Sequence, residues 1–381
     1  MRRRLVTLKV DQFLKSKLLD TPFLVIDLDI IAEKYLTLHK LLPKAQIYYA
    51  VKANPEPEIL RLLVKLGANF DAASISEIEQ CLAVGVPPEQ ISYGSTLKKA
   101  RDIARAYQLG VKLYSFDSWG ELEKLSVHAP LSRVSCRLLI ETQNAEWTLA
   151  RKFGCAWDMA FDLLQHSRTL DLEPYGVAFH VGSQQTDPTQ WNEPIHQVAL
   201  LFSKLAAQGI DLQAINLGGG FPVKYQSPIP SEEVYAQVIQ TAISHHFGDN
   251  PPQVMLEPGR FLVADAGTIQ SEIVSIAKKS YTDEQRWVFL DVGKFNGLME
   301  TLDECIKYRI RTPYDGSAVG SVVLAGPTCD SADILYERSG YKLPLSLQIG
   351  DRIDILSTGA YTHTYSSVGF NGIPPLKVYC I

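Results

Sequence analysis

Apolar runs and amphipathic stretches alternate along most of this chain. After an extended run at 23–27 and a helical stretch at 30–42, apolar runs of strand length recur eight times, at 47–53, 68–73, 91–94, 111–116, 134–140, 176–181, 214–217 and 254–257. The segments between them carry apolar residues at helical spacing, at 56–66, 76–84, 97–109, 118–125, 148–165 and 196–208. Eight strands, most of them followed by a helix, predict an α/β fold with a (β/α)8 barrel.

The alternation stops near Arg260. From there to the end, short runs of β-type residues lie between Gly/Pro turns, at 269–277, 287–291, 321–325, 351–356 and 376–379. This pattern predicts a C-terminal all-β domain, like a β-sandwich or a β-barrel. We therefore expect a barrel at 21–260 and a second domain built from 1–20 and 261–381. Residues 1–20 are expected to add a strand or a cross-over to that second domain.

Composition narrows the classes of function. The 381 residues carry a net charge of -5, which gives no basic footprint for nucleic acid, and no apolar run is long enough to span a bilayer. The six cysteines are scattered without a CxxC pair, which is typical of reduced thiols. We expect a cytoplasmic protein that binds neither nucleic acid, nor a membrane, nor a metal.

Polar residues stand at the ends of the predicted strands. They are Lys52 after the first strand, Asp71 and Ser74 after the second, Arg137 in the fifth, His180 and Ser183 after the sixth, Gly218, Gly219 and Gly220 after the seventh, and Glu257, Gly259 and Arg260 after the eighth. In a barrel, the carboxyl ends of all strands meet at one mouth. These side chains are therefore expected to converge on a single site.

The residue types at these strand ends indicate one chemistry. Lys52 at the end of a buried strand would favour the neutral amine that condenses with an aldehyde. The glycines of 218–220 and the cation of Arg260 suit a phosphate, without the spacing of a P-loop or a dinucleotide fingerprint. Glu257 could keep a pyridine nitrogen protonated, and His180 could stack on a flat ring. Individually these residues would be an exposed lysine, a turn, a salt bridge and a core histidine; together they predict a pyridoxal 5′-phosphate site.

An ordered set of motifs supports this interpretation through a resemblance. The motifs are YAVKAN at 49–54, FDAAS at 70–74 with Glu77, FHVGS at 179–183, LGGGFP at 217–222, EPGR at 257–260, GPTCDS at 326–331, GAY at 359–361 and FNG at 370–372. In this order they resemble the barrel-type (fold III) pyridoxal-phosphate decarboxylases of basic amino acids, and most closely the short bacterial ornithine decarboxylases. The resemblance covers nearly the whole chain.

The resemblance implies a role for each matching position. Lys52 would form the internal aldimine, Glu257 would pair with the pyridine nitrogen, and His180 would stack on the ring. The residues implied to hold the phosphate are Ser183, Gly219, Gly220, Gly259, Arg260 and Tyr361. Asp71, Glu77, Arg137 and Lys152 match positions around the cofactor and its lid. The polar segment 142–147 matches a mobile loop that closes over the substrate.

The resemblance also implies a homodimer with shared active sites. The loop carrying Cys329 and Asp330 would reach the partner's site, where Cys329 would return a proton to the carbon that lost CO2. Asp330 and Asp291 would face the distal ammonium of a diamino acid. The predicted reaction is the decarboxylation of L-ornithine to putrescine and CO2, a step of polyamine biosynthesis.

Four alternatives stay open at this point. A dual lysine/ornithine decarboxylase differs by one methylene of substrate, which is worth only about 1–3 kcal/mol in a pocket. A diaminopimelate decarboxylase typically carries Glu after the cysteine, where this chain has Asp330. An inactive binding protein similar to the antizyme inhibitors would have lost catalytic residues that are present here. A barrel-type alanine racemase would place a cation, rather than Glu257, at the pyridine nitrogen.

Overall fold

A computed structural model describes residues 7–16, 19–141, 143–147 and 152–381. Within these residues the chain divides into two compact units. The barrel unit comprises Ala32–Pro222 and Ile229–Phe261. The sheet unit comprises the described residues up to Ile31 together with Val223–Pro228 and Leu262–Ile381.

The barrel unit contains a closed barrel of eight parallel strands, in which the last strand pairs with the first. The strands are Ala45–Ala50, Asn69–Ala72, Ile91–Tyr93, Leu113–Phe116, Arg133–Arg137, Glu173–Ala178, Ala214–Asn216 and Gln253–Leu256. Such strands are covered on both faces, and all four residues of Leu113–Phe116 are buried. The predicted (β/α)8 barrel is confirmed, with its eight strands at the expected positions.

Amphipathic helices alternate with these strands. They are Leu28–Leu41, Pro57–Lys65, Ile75–Ala83, Ala100–Gln108, Trp119–His128, Trp157–Ser167, Asn192–Ala206 and Glu232–Phe247. Helix Pro57–Lys65 illustrates why these segments are helical. Proline occupies the first turn, where a missing N–H costs nothing, and Ile59, Leu60 and Leu63 form one buried face. No helix in the described ranges has both the length and the apolar composition needed to cross a bilayer.

The sheet unit holds nine strands in one mainly antiparallel sheet. They are Phe23–Ile26, Gly267–Ala277, Arg286–Leu290, Ile310–Arg311, Val319–Ala325, Ile334–Tyr336, Lys342–Pro344, Arg352–Leu356 and Lys377–Cys380. Gly267–Ala277 is long enough to serve two groups of partners. It pairs with Phe23–Ile26 and Arg352–Leu356 in its first half and with Arg286–Leu290 in its second half, where a bulge lies between Ile273 and Ser275. A separate all-β domain after the barrel is thereby confirmed.

The run at 23–27 forms a strand of this sheet and so belongs to the sheet unit. That unit extends to Ile31, so the boundary between the two units differs from the expected residue 21. Phe23–Ile26 pairs antiparallel with Gly267–Ala277 and parallel with Lys377–Cys380. All four of its residues are buried. A run without polar alternation fits any doubly covered strand, so its pattern does not reveal which sheet it joins.

The expected strand or cross-over near the start is a helix, Leu8–Ser16. Val10, Phe13 and Leu14 follow the i, i+3, i+4 spacing of a helix and pack with Phe23 and Leu356. The expected strand is absent from the described residues 7–16. This nine-residue amphipathic segment is too short for its helical period to stand out among charged neighbours.

The segment expected to be a mobile loop contains a short strand. Ala145–Trp147 pairs antiparallel with Ser183–Gln185, while Thr142 and residues 148–151 lie outside the described part of the chain. The helix expected at 148–165 begins at Trp157. Closure of 142–147 over a substrate stays a prediction.

Candidate active site

Lys52 lies in a 3-10 turn, Val51–Ala53, immediately after the first barrel strand. Its Nζ is 3.1 Å from Asp71 Oδ2, and the Lys52 side chain is 46% exposed while that of Asp71 is 3% exposed. The sequence predicts an amine desolvated at the end of a strand, whereas the structure shows a half-exposed amine paired with a carboxylate. The amine is therefore oriented by a buried carboxylate and remains accessible to a ligand.

The Asp71 carboxylate occupies the space that a side chain at Gly94 would need. A Cβ atom at Gly94 would collide with the Asp71 carboxylate. Asp71 Oδ1 is buried and accepts no hydrogen bond from the residues described. Gly94 was missed by the sequence reasoning, although a glycine directly after the third barrel strand was a usable signal.

Glu77 is a second acid beside this pair. It lies in the first turn of a helix capped by Ser74: Glu77 N–H donates to Ser74 Oγ at 3.2 Å, and Glu77 Oε2 accepts at 2.6 Å from the N–H of Ala73, the residue before the cap. Burial raises the pKa of Glu77, and the nearby charge of Asp71 adds to this effect. The chain thus places two carboxylates on the second strand and the helix that follows it.

Glu257 follows the eighth strand and receives a hydrogen bond from a side chain that the sequence reasoning overlooked. Asn216 Nδ2 donates to Glu257 Oε1 at 2.5 Å, and Asn216 Oδ1 accepts from Gly218 N–H at 2.9 Å. Burial and then the charge of Asp71 raise the pKa of Glu257 to about 7, against the opposing effects of Lys52, Asn216 and Arg137. The available signal was a polar residue within the apolar run 214–217.

His180 is neutral over the physiological range. Burial lowers its pKa to about 3, and the cations of Arg137 and Lys52 act in the same direction. Gly182 N–H donates to His180 Nδ1 at 2.9 Å, which leaves the ring proton on Nε2. An uncharged imidazole with a fixed tautomer suits packing against a flat ring.

The glycine turn after the seventh strand is built for close backbone approach. A Cβ at Gly219 would lie 2.6 Å from Glu257 O, and Gly220 has a φ of +95° with Gly182 O 2.5 Å from its ideal Cβ. The N–H groups of Gly219 and Gly220 donate to no acceptor within the described residues. Successive backbone N–H groups without an internal acceptor in a tight turn can form an anion-binding cradle.

Arg260 supplies a cation to the same mouth. Arg260 is the first residue of the short helix Arg260–Val263, directly after the Glu257–Gly259 turn, and it is 4% exposed. Arg260 Nη2 donates to Ser183 Oγ at 3.2 Å. Ser183 and Arg260 thus lie together, as a phosphate site requires.

Arg137 and Lys152 flank one aromatic ring. The guanidinium of Arg137 lies 5.1 Å from the Phe153 ring centre, and Lys152 Nζ lies 5.0 Å from it. Burial lowers the pKa of Arg137, while Glu257, Asp117 and Asp71 oppose that shift. Arg137 thus lies within the electrostatic reach of Glu257 and Asp71, whereas Lys152 is exposed.

Four further predicted site residues belong to the sheet unit. Cys329 is exposed, its N–H donates to Asn371 Oδ1 at 3.2 Å, and its Sγ lies 3.3 Å from Asn371 Nδ2. Asp330 Oδ1 accepts from Ala332 N–H at 2.8 Å. Asp291 Oδ1 accepts from Ser271 Oγ at 2.6 Å and from Glu272 N–H at 3.0 Å.

The fourth, Tyr361, has a φ of +55° in the turn that follows Gly359.

The barrel mouth fits pyridoxal 5′-phosphate. It offers an accessible amine for an aldehyde, a glycine turn with a buried arginine for a phosphate, and a neutral imidazole for a ring face. The carboxyl group of Glu257, with a pKa of about 7, becomes an anion readily when a cationic ring nitrogen is beside it. These are the donor and acceptor types that this cofactor requires.

Comparison with known families agrees with this fit. Residues 28–264 match the model of the pyridoxal-dependent decarboxylase family, pyridoxal binding domain. Among curated relatives, a lysine/ornithine decarboxylase of Selenomonas ruminantium is 33% identical over 94% of this chain and 88% of the relative. An ornithine decarboxylase of Schizosaccharomyces pombe is 33% identical over 93% and 82%. Antizyme inhibitor 2 of Xenopus laevis is 32% identical over 94% and 80%.

Solved structures of this family share the whole fold. A lysine decarboxylase of Selenomonas ruminantium in complex with pyridoxal phosphate and cadaverine has a TM-score of 0.88 at 30% identity, covering 100% of this chain and 95% of the other. The arginine decarboxylase of Paramecium bursaria Chlorella virus bound to agmatine has a TM-score of 0.89 at 28% identity, covering 98% and 99%.

Proposed function

Because this chain belongs to the family of pyridoxal-dependent decarboxylases that act on basic amino acids, we propose that its substrate is L-ornithine, which it converts to putrescine and CO2. The observation that carries the proposal is the barrel mouth, where the Lys52 amine lies 3.1 Å from the buried Asp71 carboxylate. The same mouth presents Glu257 and an anion-binding turn. The enzyme is a pyridoxal-phosphate-dependent decarboxylase; its choice of ornithine is the proposed part.

The residues of the barrel mouth would hold the cofactor as follows. Lys52 contributes the amine that bonds to the aldehyde carbon, with Asp71 orienting it. Gly219, Gly220 and Gly259 offer backbone N–H groups to the phosphate. Arg260 and Ser183 add side-chain donors, and Tyr361 is assigned to the same group by the family resemblance.

The catalytic roles follow from charge. When bound, pyridoxal phosphate supplies a sink for the electron pair that remains after CO2 departs. Glu257 would act as the anion that keeps the ring nitrogen protonated, and a cation beside it favours its ionised form. His180, held neutral, would pack on the ring face without competing for that charge. Arg137, Glu77 and Lys152 surround the site.

We assign the return of the proton to Cys329 of a second copy of the chain. The thiol is exposed on the sheet unit and anchored by Asn371, so its Sγ is available to deliver a proton to the carbon that lost CO2. Asp330 and Asp291 would accept hydrogen bonds from the distal ammonium of the substrate. Each uses Oδ1 for its own loop, and Oδ2 has no hydrogen bond from a described residue.

A second candidate is a dual lysine/ornithine decarboxylase. It is favoured by the Selenomonas relative, which carries both activities in its name. Two carboxylates near the distal end of the substrate would attract either ammonium. The depth of the pocket then decides between substrates that differ by one methylene.

The deciding experiment compares L-ornithine, L-lysine, L-arginine and meso-diaminopimelate with the cofactor-loaded enzyme, measuring CO2 and the amine product. We expect kcat/KM to be highest for L-ornithine, with L-lysine about 10–200-fold lower, the range that one methylene supports. Lys52→Ala is the inactive control. Equal rates for lysine and ornithine would favour the dual enzyme, and a highest rate with diaminopimelate would contradict the role given to Asp330.

A colour test separates these enzymes from an inactive relative of the antizyme inhibitors. The purified protein should be yellow with bound pyridoxal phosphate and should bleach with borohydride, which traps the bond to Lys52. A protein that stays colourless with pyridoxal phosphate and releases no CO2 from any of the four amino acids would be a binding protein instead.

A further inference from the structure

Asn216 is the last residue of the seventh barrel strand, Ala214–Asn216, and it makes two hydrogen bonds that few other side chains could make together. It is 3% exposed. Its Oδ1 accepts from Gly218 N–H at 2.9 Å, two residues ahead, and its Nδ2 donates to Glu257 Oε1 at 2.5 Å. One side chain thus links the glycine turn to the acid on the neighbouring strand.

The first bond fixes the direction of the second. An amide carries one acceptor oxygen and one donor nitrogen, so an oxygen held by Gly218 N–H leaves only the NH2 group toward Glu257. Rotating the amide by half a turn would place two donors against each other at Gly218 and two acceptors against each other at Glu257. Asn216 is therefore locked as a donor to the carboxyl group of Glu257, and a donor favours the charged form of that group.

Other features of the barrel mouth disfavour the charged form of Glu257. Burial and the charge of Asp71 raise the pKa of Glu257, and the charge of Lys52, the hydrogen bond from Asn216 and the charge of Arg137 oppose that rise. Lys52 and Arg137 act on Glu257 through their charges, whereas Asn216 acts through a hydrogen bond made directly to the Glu257 carboxyl group.

We propose that Asn216 is a positioning residue for the reaction: it would hold Glu257 in place and favour its charged form for pairing with the ring nitrogen, and it ties that acid to the glycine turn assigned to the phosphate. The inference rests on the proposed function, since it concerns the same site. Asn216 would thereby influence the charge of Glu257 and the protonation of the ring nitrogen, in addition to its packing in the barrel.

Two substitutions separate the two hydrogen bonds. In Asn216→Ser, the hydroxyl group can still accept from Gly218 N–H, because serine forms the same local turn as asparagine, but it is too short to reach Glu257. In Asn216→Ala, both bonds are lost. A residue that only shapes the turn would tolerate serine and fail with alanine, whereas a residue that controls Glu257 would fail with both.

The measurement is the affinity of the cofactor-free protein for pyridoxal phosphate between pH 6 and 9. The same affinity is measured for an analogue of pyridoxal phosphate that has carbon in place of the ring nitrogen. We expect Asn216→Ser to bind pyridoxal phosphate about tenfold more weakly at pH 7.5, while the analogue binds within about threefold of wild type. The midpoint of the pH dependence should rise by about one pH unit, a tenfold change in proton affinity. In a Glu257→Gln background, Asn216→Ser should add no further shift.

Equal weakening of both ligands, or an unchanged midpoint in Asn216→Ser, would overturn the inference. If Asn216→Ala fails to fold, Asn216→Ser alone still decides, because its turn is preserved. The outcome is distinct from failure of the proposed function: a wild-type protein that binds the cofactor but does not decarboxylate ornithine leaves this comparison of affinities intact.

Discussion

At the scale of single residues, the site is governed by what surrounds each ionisable group. Glu257 and His180 are shifted in opposite ways by the same cause, since burial disfavours the charged form of both and so raises the pKa of the acid and lowers that of the base. Near pH 7 the His180 imidazole is therefore neutral, and the Glu257 carboxyl group of the cofactor-free protein is about half ionised. A cationic ring nitrogen is then the natural partner for Glu257.

This shift predicts a pH-dependent stability of the cofactor-free protein. The pKa of Glu257 rises from 4.5 to about 7 on folding, so the folded state holds a proton that the unfolded state has lost between those values. The free energy of unfolding contributed by Glu257 is therefore fully present below about pH 4.5 and falls as pH rises to about 7. Glu257→Gln should remove this fall.

Urea unfolding of wild type and Glu257→Gln between pH 5 and 8 checks this expectation. The stability of the variant relative to wild type should increase up to about pH 7 and then stay constant. Parallel curves would contradict the shifted pKa.

At the scale of elements, strand ends and the turns after them set the geometry of the site. The Lys52 turn, the Gly94 position and the 218–220 turn each follow a different strand, yet they meet because all eight strands run parallel in a closed barrel. Gly94 shows how strict the packing is, since even a methyl group there would occupy the space of the Asp71 carboxylate.

Gly94→Ala is therefore expected to displace Asp71 and to disorient Lys52. Overpacking of this kind costs about 1–3 kcal/mol of stability, and we expect cofactor affinity to fall by about tenfold or more, the factor that 1.4 kcal/mol represents. The matched control is Gly120→Ala, in helix Trp119–His128, where an added Cβ meets nothing within 4 Å. Similar affinities in both variants would contradict the steric role of Gly94.

At the scale of the whole molecule, the proposed function requires residues from both units. Lys52 belongs to the barrel unit and Cys329 to the sheet unit. The exposure of Cys329 is consistent with the proposal that its loop serves a site on a second copy. A homodimer with two-fold symmetry would then contain two shared sites.

Complementation tests this assembly. Lys52→Ala and Cys329→Ala should each be strongly impaired, the second with its cofactor retained. Mixing them under conditions that exchange subunits should restore about a quarter of wild-type activity, since half of the dimers would carry one intact site of two. Exchange without any recovery would refute a site shared between copies.

The sequence by itself determined the barrel, the all-β domain after it and most polar residues at the mouth. Each of these follows from a local pattern. The periods of strands and helices predict the two domains, and residues at strand ends, such as Lys52, Glu257 and the glycines of 218–220, predict the site. Cys329 was recognisable only through its motif, GPTCDS, and its proposed role stays a prediction.

The tertiary structure alone decided which distant segments meet. It placed Phe23–Ile26 in the sheet of the second unit, beside strands that lie more than 200 residues away in the chain, as the pairing with Gly267–Ala277 shows. It also revealed that Asn216 holds Glu257 and that Gly94 leaves room for Asp71. The physical reason is that local periodicity fixes which face of an element is buried, whereas the partner across that face is chosen by long-range packing.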